Sequence, residues 1–244
     1  LSAGIYVRKT ALLHIFQKGL RDMKLYHWWV SSASYRVRIG LALKGIDVEF
    51  VPVDITDRKQ WEDSYIAVNP QSIVPTLEVD GIRIPQSSAI LEYLEDIQPE
   101  PSLLPSDPLG RARVRAIAQI CACEIGPRLS NRLRFFAESN FEDPEKVKWH
   151  DHWADQGFGA LEAFISEGSA AGLCCHGDTP TIADIFLMPQ LMAARRRGAD
   201  LSPYKTLLAI EAHCAELPAF IKAHPENQPD RPAGISMAPI KRPD

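Results

Sequence analysis

Residues 31–34 read Ser-Ser-Ala-Ser and run straight into an apolar-periodic stretch over 35–46. A cluster of hydroxyls at a helix start has two uses. It caps, a serine oxygen accepting from the orphan N–H groups of the first turn, or it donates its O–H to an anion that those N–H groups and the helix dipole already favour. Taken alone, the turn reads as a cap. A second pair, Gln86-Ser87, opens another periodic stretch over 87–97 and poses the same choice between an N-cap at Ser87 and a carboxylate site. Between them, Pro75 follows Val74 directly before a strand, where a missing N–H is tolerated only at a strand start or edge. A cis Val74–Pro75 bond would turn the main chain of Val74 toward a ligand; an ordinary loop proline is the alternative.

These residues need elements to hold them. KLYHWWV, residues 24–30, is aromatic and β-branched and predicts a buried strand. From Ser34 the period becomes helical, with Val37, Ile39, Leu41 and Leu43 inward, Arg36, Arg38 and Lys44 outward, and Gly45 as the stop. VEFVPVD predicts a second strand, a polar helix carries Trp61, and Asp80-Gly81 between two alternating runs signals a hairpin. The capped helix 87–97 completes a small mixed sheet flanked by helices, a domain spanning 23–103. QPEPSLLPSDPLG, residues 98–110, is proline-rich and marks a linker.

Beyond the linker the periodicity is helical only, over 111–139, 145–167, 181–197 and 204–223, so an all-helical domain is expected over 104–227. TPTIAD, residues 179–184, reads as a capping box with Thr181 as cap and Asp184 three residues on, a folding feature without catalytic role. Residues 228–244 predict an irregular, proline-rich tail. Residues 1–22 precede Met23 and read as a leader, either non-native or from an upstream start, with a short amphipathic helix as the alternative.

With 244 residues, of which 45% are hydrophobic, the chain can bury a full core. Its 27 Lys and Arg against 31 Asp and Glu give a formal charge of -4, so no net basic field exists for nucleic acid or an anionic membrane. No apolar run approaches the roughly 18 residues of a membrane span. The five cysteines, Cys121, Cys123, Cys174, Cys175 and Cys214, lack paired spacing and a histidine set for zinc; they read as buried structural thiols of a reducing cytoplasm, with no metal.

Four ordered blocks, SSASYRVRIGLALKGI, NPQSIVPTLEVDG, QSSAILEYLE and GDTPTIADIFLMPQ, resemble the glutathione transferase family over about Lys24 to Pro232, and most closely its zeta class, which includes maleylacetoacetate isomerase. The first block is similar to that class's SSCSxRVRIALALKGI. The resemblance implies a thioredoxin-like α/β domain followed by an all-α domain, with glutathione as the cofactor. It implies a glutathione sulfur beside Ser31 and Ser32, a site including Ala33, Ser34, Tyr35 and Arg36, a cysteinyl backbone paired to Val74, a glutamyl carboxylate at Gln86 and Ser87, and a glycine end at Gln60. Ser31 is the first choice as donor to a thiolate and Ser32 the second. Arg36 and Arg196 are implied to face a small dicarboxylate-type substrate, and a homodimer is implied as the assembly.

The implied reaction is glutathione-dependent cis–trans isomerisation of maleylacetoacetate in tyrosine and phenylalanine breakdown, by reversible thiolate addition to an activated alkene. The chain departs from the zeta pattern at three places. Val30 stands for a frequent arginine, Ala33 for the usual cysteine, and Gly126 for a histidine or glutamine. They leave maleylpyruvate isomerisation, or general conjugation and dehalogenation, as alternatives, with a non-catalytic binding module as a different class. Ala33 also leaves the turn without a thiol, which argues against a mixed disulfide with glutathione.

Overall fold

The computed structural model describes residues 22–130, 132, 133, 136, 140, 143–167, 170–235 and 237, with the side chains of 143–148 outside that description. The leader expected at the N-terminus and the last residues of the tail lie outside the described residues, Asp22 excepted. Two compact units divide at Pro101 and Ser102.

The first unit runs β1 (Met23–His27), α1 (Ser32–Lys44), β2 (Glu49–Pro52), a 3-10 turn (Lys59–Trp61), α2 (Asp63–Ile66), β3 (Thr76–Val79), β4 (Ile82–Pro85) and α3 (Ser87–Ile97). The sheet order is β2-β1-β3-β4. β1 pairs parallel with β2 across the α1 crossover and antiparallel with β3, and β3 pairs antiparallel with β4. This is the expected thioredoxin-like arrangement. Asp80 (φ 49°) and Gly81 (φ 78°) make the hairpin turn, both in the positive-φ region that a two-residue connection requires.

Two readings of this unit are corrected. β1 ends at His27, and Trp28-Trp29 lie beyond the sheet because other groups take their peptide atoms: Ser34 Oγ accepts from Trp28 N at 3.3 Å, and Arg38 Nη2 donates to Trp29 O at 2.8 Å. The outward face assigned to α1 does not exist either, for Arg36, Arg38 and Lys44 are 6%, 2% and 3% exposed. Lys44 Nζ meets Glu95 at 2.7 Å and donates to the carbonyls of Gln98 and Pro101, so this buried charge is compensated within α3 and its exit. Gly45 (φ 63°) closes the helix in the left-handed conformation.

The second unit contains α4 (Pro108–Gln119), a π-helical turn (Ile120–Ile125), α5 (Gly126–Arg128), α6 (Asp143–Ser166), α7 (Ile182–Arg196), α8 (Lys205–Ala215) and α9 (Pro218–Ala223). The helix expected to run unbroken from 111 thus changes to π at Ile120. α6 lies close to that turn: a Cβ on Gly157 would fall 2.4 Å from Ile125 Cγ1. The capping box of α7 is present, Asp184 Oδ2 accepting from Thr181 N at 2.8 Å and Thr181 Oγ1 at 3.0 Å.

Residues Lys222–Arg231 belong to the first unit rather than to the helical domain or a free tail. They are irregular apart from the end of α9 and a 3-10 turn at Pro225–Asn227, yet Asp230 is buried, its side chain 7% exposed. No helix among the described residues is long and apolar enough to cross a membrane.

Candidate active site

Ser31 is the N-cap of α1, with extended backbone (φ -65°, ψ 119°), and its Oγ accepts from Ser34 N at 3.2 Å. Capping and anion binding therefore do not compete at this hydroxyl. The oxygen is used as an acceptor, the O–H remains as a donor, and accepting a bond strengthens it as one. Ser31 and Ser32 are half-buried. Ser34 and Tyr35 are turned inward: Ser34 is fully buried on Trp28 N, and the Tyr35 ring packs edge-on against His224, centroids 5.8 Å apart. Both support the turn from behind. Ala33 sits half-buried in the first turn of α1.

At the start of α3 the expected N-cap is displaced by one residue. Gln86 holds that position (φ 73°, ψ 119°), no side chain caps the helix, and Ser87 is the first helical residue. The first-turn N–H groups are thus left for an external acceptor. Behind them, Arg36 Nη1 donates to Ser87 Oγ at 3.3 Å, adding positive charge and leaving the serine proton free to donate. Gln86 Nε2 reaches Gln71 Oε1 at 3.0 Å. A non-glycine residue at this φ and ψ is strained, and such strain gathers at ligand sites; sequence offers no signal for it.

The Val74–Pro75 bond is cis. Among the described residues neither peptide group of Val74 makes a hydrogen bond, while the preceding loop is pinned. Tyr65 Oη donates to Ile73 O at 2.7 Å, and Asn69 Nδ2 donates to Ile73 O and Thr76 Oγ1 at 2.9 and 3.1 Å. Burial pushes the Tyr65 phenol up, so it stays a donor. Sequence reasoning missed Tyr65 and Asn69. Gln60, 6% exposed in the 3-10 turn, has a buried Oε1 with no hydrogen-bond partner, an orphan of the kind a ligand N–H would satisfy.

The first unit thus carries four partly unsatisfied features: a serine hydroxyl with its proton uncommitted, an unpaired main chain at Val74, an uncapped helix start backed by an arginine, and an orphan amide oxygen. Arg196, half-buried, ends α7 in the second unit, and Gly126 follows the π turn.

Of the five thiols, Cys123 is exposed, contrary to the reading of all as buried, and its Sγ donates to Gln119 Oε1 at 2.9 Å. Donor atoms of Cys174, Asp184 and Cys214 lie within 4.8 Å of one another. Both Asp184 oxygens are already committed, Oδ2 to the capping box and Oδ1 to Cys175 N at 2.7 Å. A hydrogen bond with Cys174, then burial, pushes the Cys214 thiol up; burial, then Asp184, does so for Cys175. Both oxygens of the Asp184 carboxylate thus serve the fold, and Cys174, Cys175 and Cys214 pack beside it in the core.

Residues 21–96 match the glutathione S-transferase N-terminal domain. Maleylacetoacetate isomerase of Pseudomonas aeruginosa is 43% identical over 215 residues, 86% of this chain and 100% of that protein. Among solved structures, a holo maleylpyruvate isomerase, described as a bacterial zeta-class glutathione transferase, superposes with a TM-score of 0.81 at 41% identity, covering 85% of this chain and 99% of that one. A maleylacetoacetate isomerase from Anaeromyxobacter dehalogenans, with dicarboxyethyl glutathione and citrate in its active site, gives 0.77 at 43%, covering 87% and 95%.

Proposed function

The chain belongs to the zeta-class glutathione transferases, and on that premise we propose that it is a glutathione-dependent cis–trans isomerase of maleylacetoacetate, acting in the cytoplasm as a homodimer. Bound glutathione supplies the nucleophile, a thiolate that adds reversibly to the cis double bond and leaves once that bond has rotated. Ser31 donates to the sulfur anion. A hydrogen bond to a charged acceptor contributes about 1.5–3 kcal/mol, or roughly one to two pH units on a thiol that ordinarily titrates near ~8.5. The dipole of α1 adds about 0.3–1 kcal/mol in the same sense.

Ser87, the first turn of α3 and Arg36 hold the glutamyl carboxylate, Val74 pairs with the cysteinyl backbone, and Gln60 accepts from the glycine end. Ser32 is the second donor. Arg196 meets a carboxylate of the substrate. The observation that carries this reading is the Ser31 hydroxyl, fixed by Ser34 N–H as an acceptor and so left to donate, in a chain of which 86% aligns with a maleylacetoacetate isomerase at 43% identity.

Maleylpyruvate isomerisation is the second reading, favoured by the similarity to a maleylpyruvate isomerase of known structure, with the departures at Val30, Ala33 and Gly126 allowing a shifted substrate. A rate comparison on the two maleyl substrates, with and without glutathione, tests both. Glutathione-dependent turnover faster on maleylacetoacetate is expected; faster turnover on maleylpyruvate installs the second reading, and none on either removes both.

A further inference from the structure

We propose that Asp230 is a positioning residue for the serine turn, acting on Ser31 through the main chain of Trp28 and Trp29. The proposal rests on the reading of Ser31 as thiolate donor.

The two tryptophans lead directly into the turn, and every one of their peptide atoms is held. Trp28 N donates to Ser34 Oγ at 3.3 Å, and Trp28 O accepts from Ser31 N at 3.1 Å and Arg38 Nη1 at 3.3 Å. Trp29 O accepts from Arg38 Nη2 at 2.8 Å. The last of these atoms, Trp29 N, donates to Asp230 Oδ2 at 3.0 Å from a residue 201 positions later in the chain. Arg38 ties both sides together, because its Nε donates to Ala223 O at 3.0 Å on the same returning segment. Ser31 hangs from this frame by its own N–H and is fixed at its hydroxyl by Ser34 N, so a shift of the Trp28–Trp29 peptides moves its Oγ.

Asp230 also faces the buried charge of Arg38, and each favours the ionised form of the other. His27 Nδ1 lies 3.4 Å from Arg38 Nη1, and a guanidinium only donates, so Nδ1 accepts and the ring is neutral with its proton on Nε2, which faces Asp230 Oδ2 at 3.9 Å. That separation is too long for a hydrogen bond. Burial and Arg38 take His27 down to about 3, consistent with that neutral ring. His224, on the same segment, accepts from Glu226 N through its Nδ1 at 3.2 Å. Asp230 Oδ1 is buried with no hydrogen-bond partner. A carboxylate can offset the buried guanidinium of Arg38 without bonding a main-chain N–H, so the Trp29 N–H that Oδ2 holds is the contact through which Asp230 bears on the turn. Sub-ångström placement of a donor is the kind of quantity to which catalysis responds steeply.

The test is ultraviolet titration of the thiol of glutathione bound to the full protein, together with kcat and KM. In Asp230→Ala the thiol midpoint is expected to rise by about one pH unit, with a fall in kcat at neutral pH of about three- to eightfold and KM for glutathione within about twofold, since the residues holding the tripeptide are untouched. Asp230→Asn keeps an acceptor for Trp29 N–H and is expected to restore the midpoint. In a Ser31→Ala background, Asp230→Ala should shift the midpoint no further. Should Asp230→Ala not fold, Asp230→Glu, which displaces the acceptor by one methylene, takes its place with the same expected rise. A depressed thiol in the wild type that stays equally depressed in Asp230→Ala or Asp230→Glu, or a further shift on top of Ser31→Ala, overturns the proposal alone. An unperturbed thiol in the wild type overturns it together with the Ser31 reading.

Discussion

Arg36 reaches from α1 to the first turn of α3, where its Nη1 donates to Ser87 Oγ across 3.3 Å. The contact couples the helix that begins with the serine donor to the helix whose open N-terminus suits a carboxylate. Because the arginine only donates, Ser87 keeps its own proton for an anion, and the guanidinium adds to the helix dipole at the same point. The two proposed ends of the tripeptide are thereby built on one rigid pair of helices.

Removing that charge while keeping the apolar stem isolates its role. Arg36→Met is expected to raise KM for glutathione about tenfold or more, the range set by about 1.5–3 kcal/mol for a hydrogen bond to a charged group, with a smaller effect on kcat. Steady-state kinetics with varied glutathione reads this directly; a changed kcat at constant KM would place Arg36 with the substrate instead.

Gln86, with φ at 73° and ψ at 119°, stands where glycine is the ordinary occupant. Gln86→Gly should raise unfolding stability by roughly 0.5–1 kcal/mol, strain relief outweighing the added freedom of the unfolded chain, while glutathione binds more weakly. Chemical denaturation and calorimetry on the same variant check the two opposite signs. Loss of stability would show that the Gln71 contact, rather than strain, dominates there.

The hairpin, α1, α3 and the capping box were legible because each rests on local chemistry: Asp80-Gly81 for a positive-φ turn, Gly45 for a left-handed stop, Thr181 and Asp184 for reciprocal capping. The burial of Arg36, Arg38 and Lys44 was not legible. A charged residue reads as solvent-facing until its partners are known, and those partners, Ser87, the Trp28, Trp29 and Ala223 carbonyls, and Glu95, come from distant parts of the chain. Asp230 was hidden for the same reason, inside a segment whose composition predicts only irregularity. Ser31 was half-legible, since sequence posed cap against donor and the hydroxyl's geometry allows both.

Buried His27 makes a specific pH signature. Its folded value near 3 lies below the ordinary 6.5, so the unfolded chain binds the extra proton between those limits. The stabilisation is complete above about pH 6.5 and declines as pH falls toward 3, by up to about 1.4 kcal/mol per pH unit from this group. Asp230, raised by burial, works in the opposite direction around its own midpoint and blunts the acid end. Urea denaturation across pH 4–7 should show the decline and His27→Asn should flatten it; an unchanged slope in the variant would mean His27 is charged when folded.

The thiols divide by exposure. Native protein should react with a bulky thiol reagent at Cys123 alone, and at all five cysteines after unfolding. Mass spectrometry of the labelled peptides locates the sites. Fast native labelling of Cys174, Cys175 or Cys214 would contradict the packed arrangement around Asp184.

In the proposed mechanism the Ser31 hydroxyl holds the sulfur of glutathione as an anion. Its most direct test is the ultraviolet titration of bound glutathione in wild type and Ser31→Ala. A thiol midpoint about one to two pH units below the free value near ~8.5 is expected in the wild type, returning most of the way in the variant. Equal midpoints in the two proteins would contradict it.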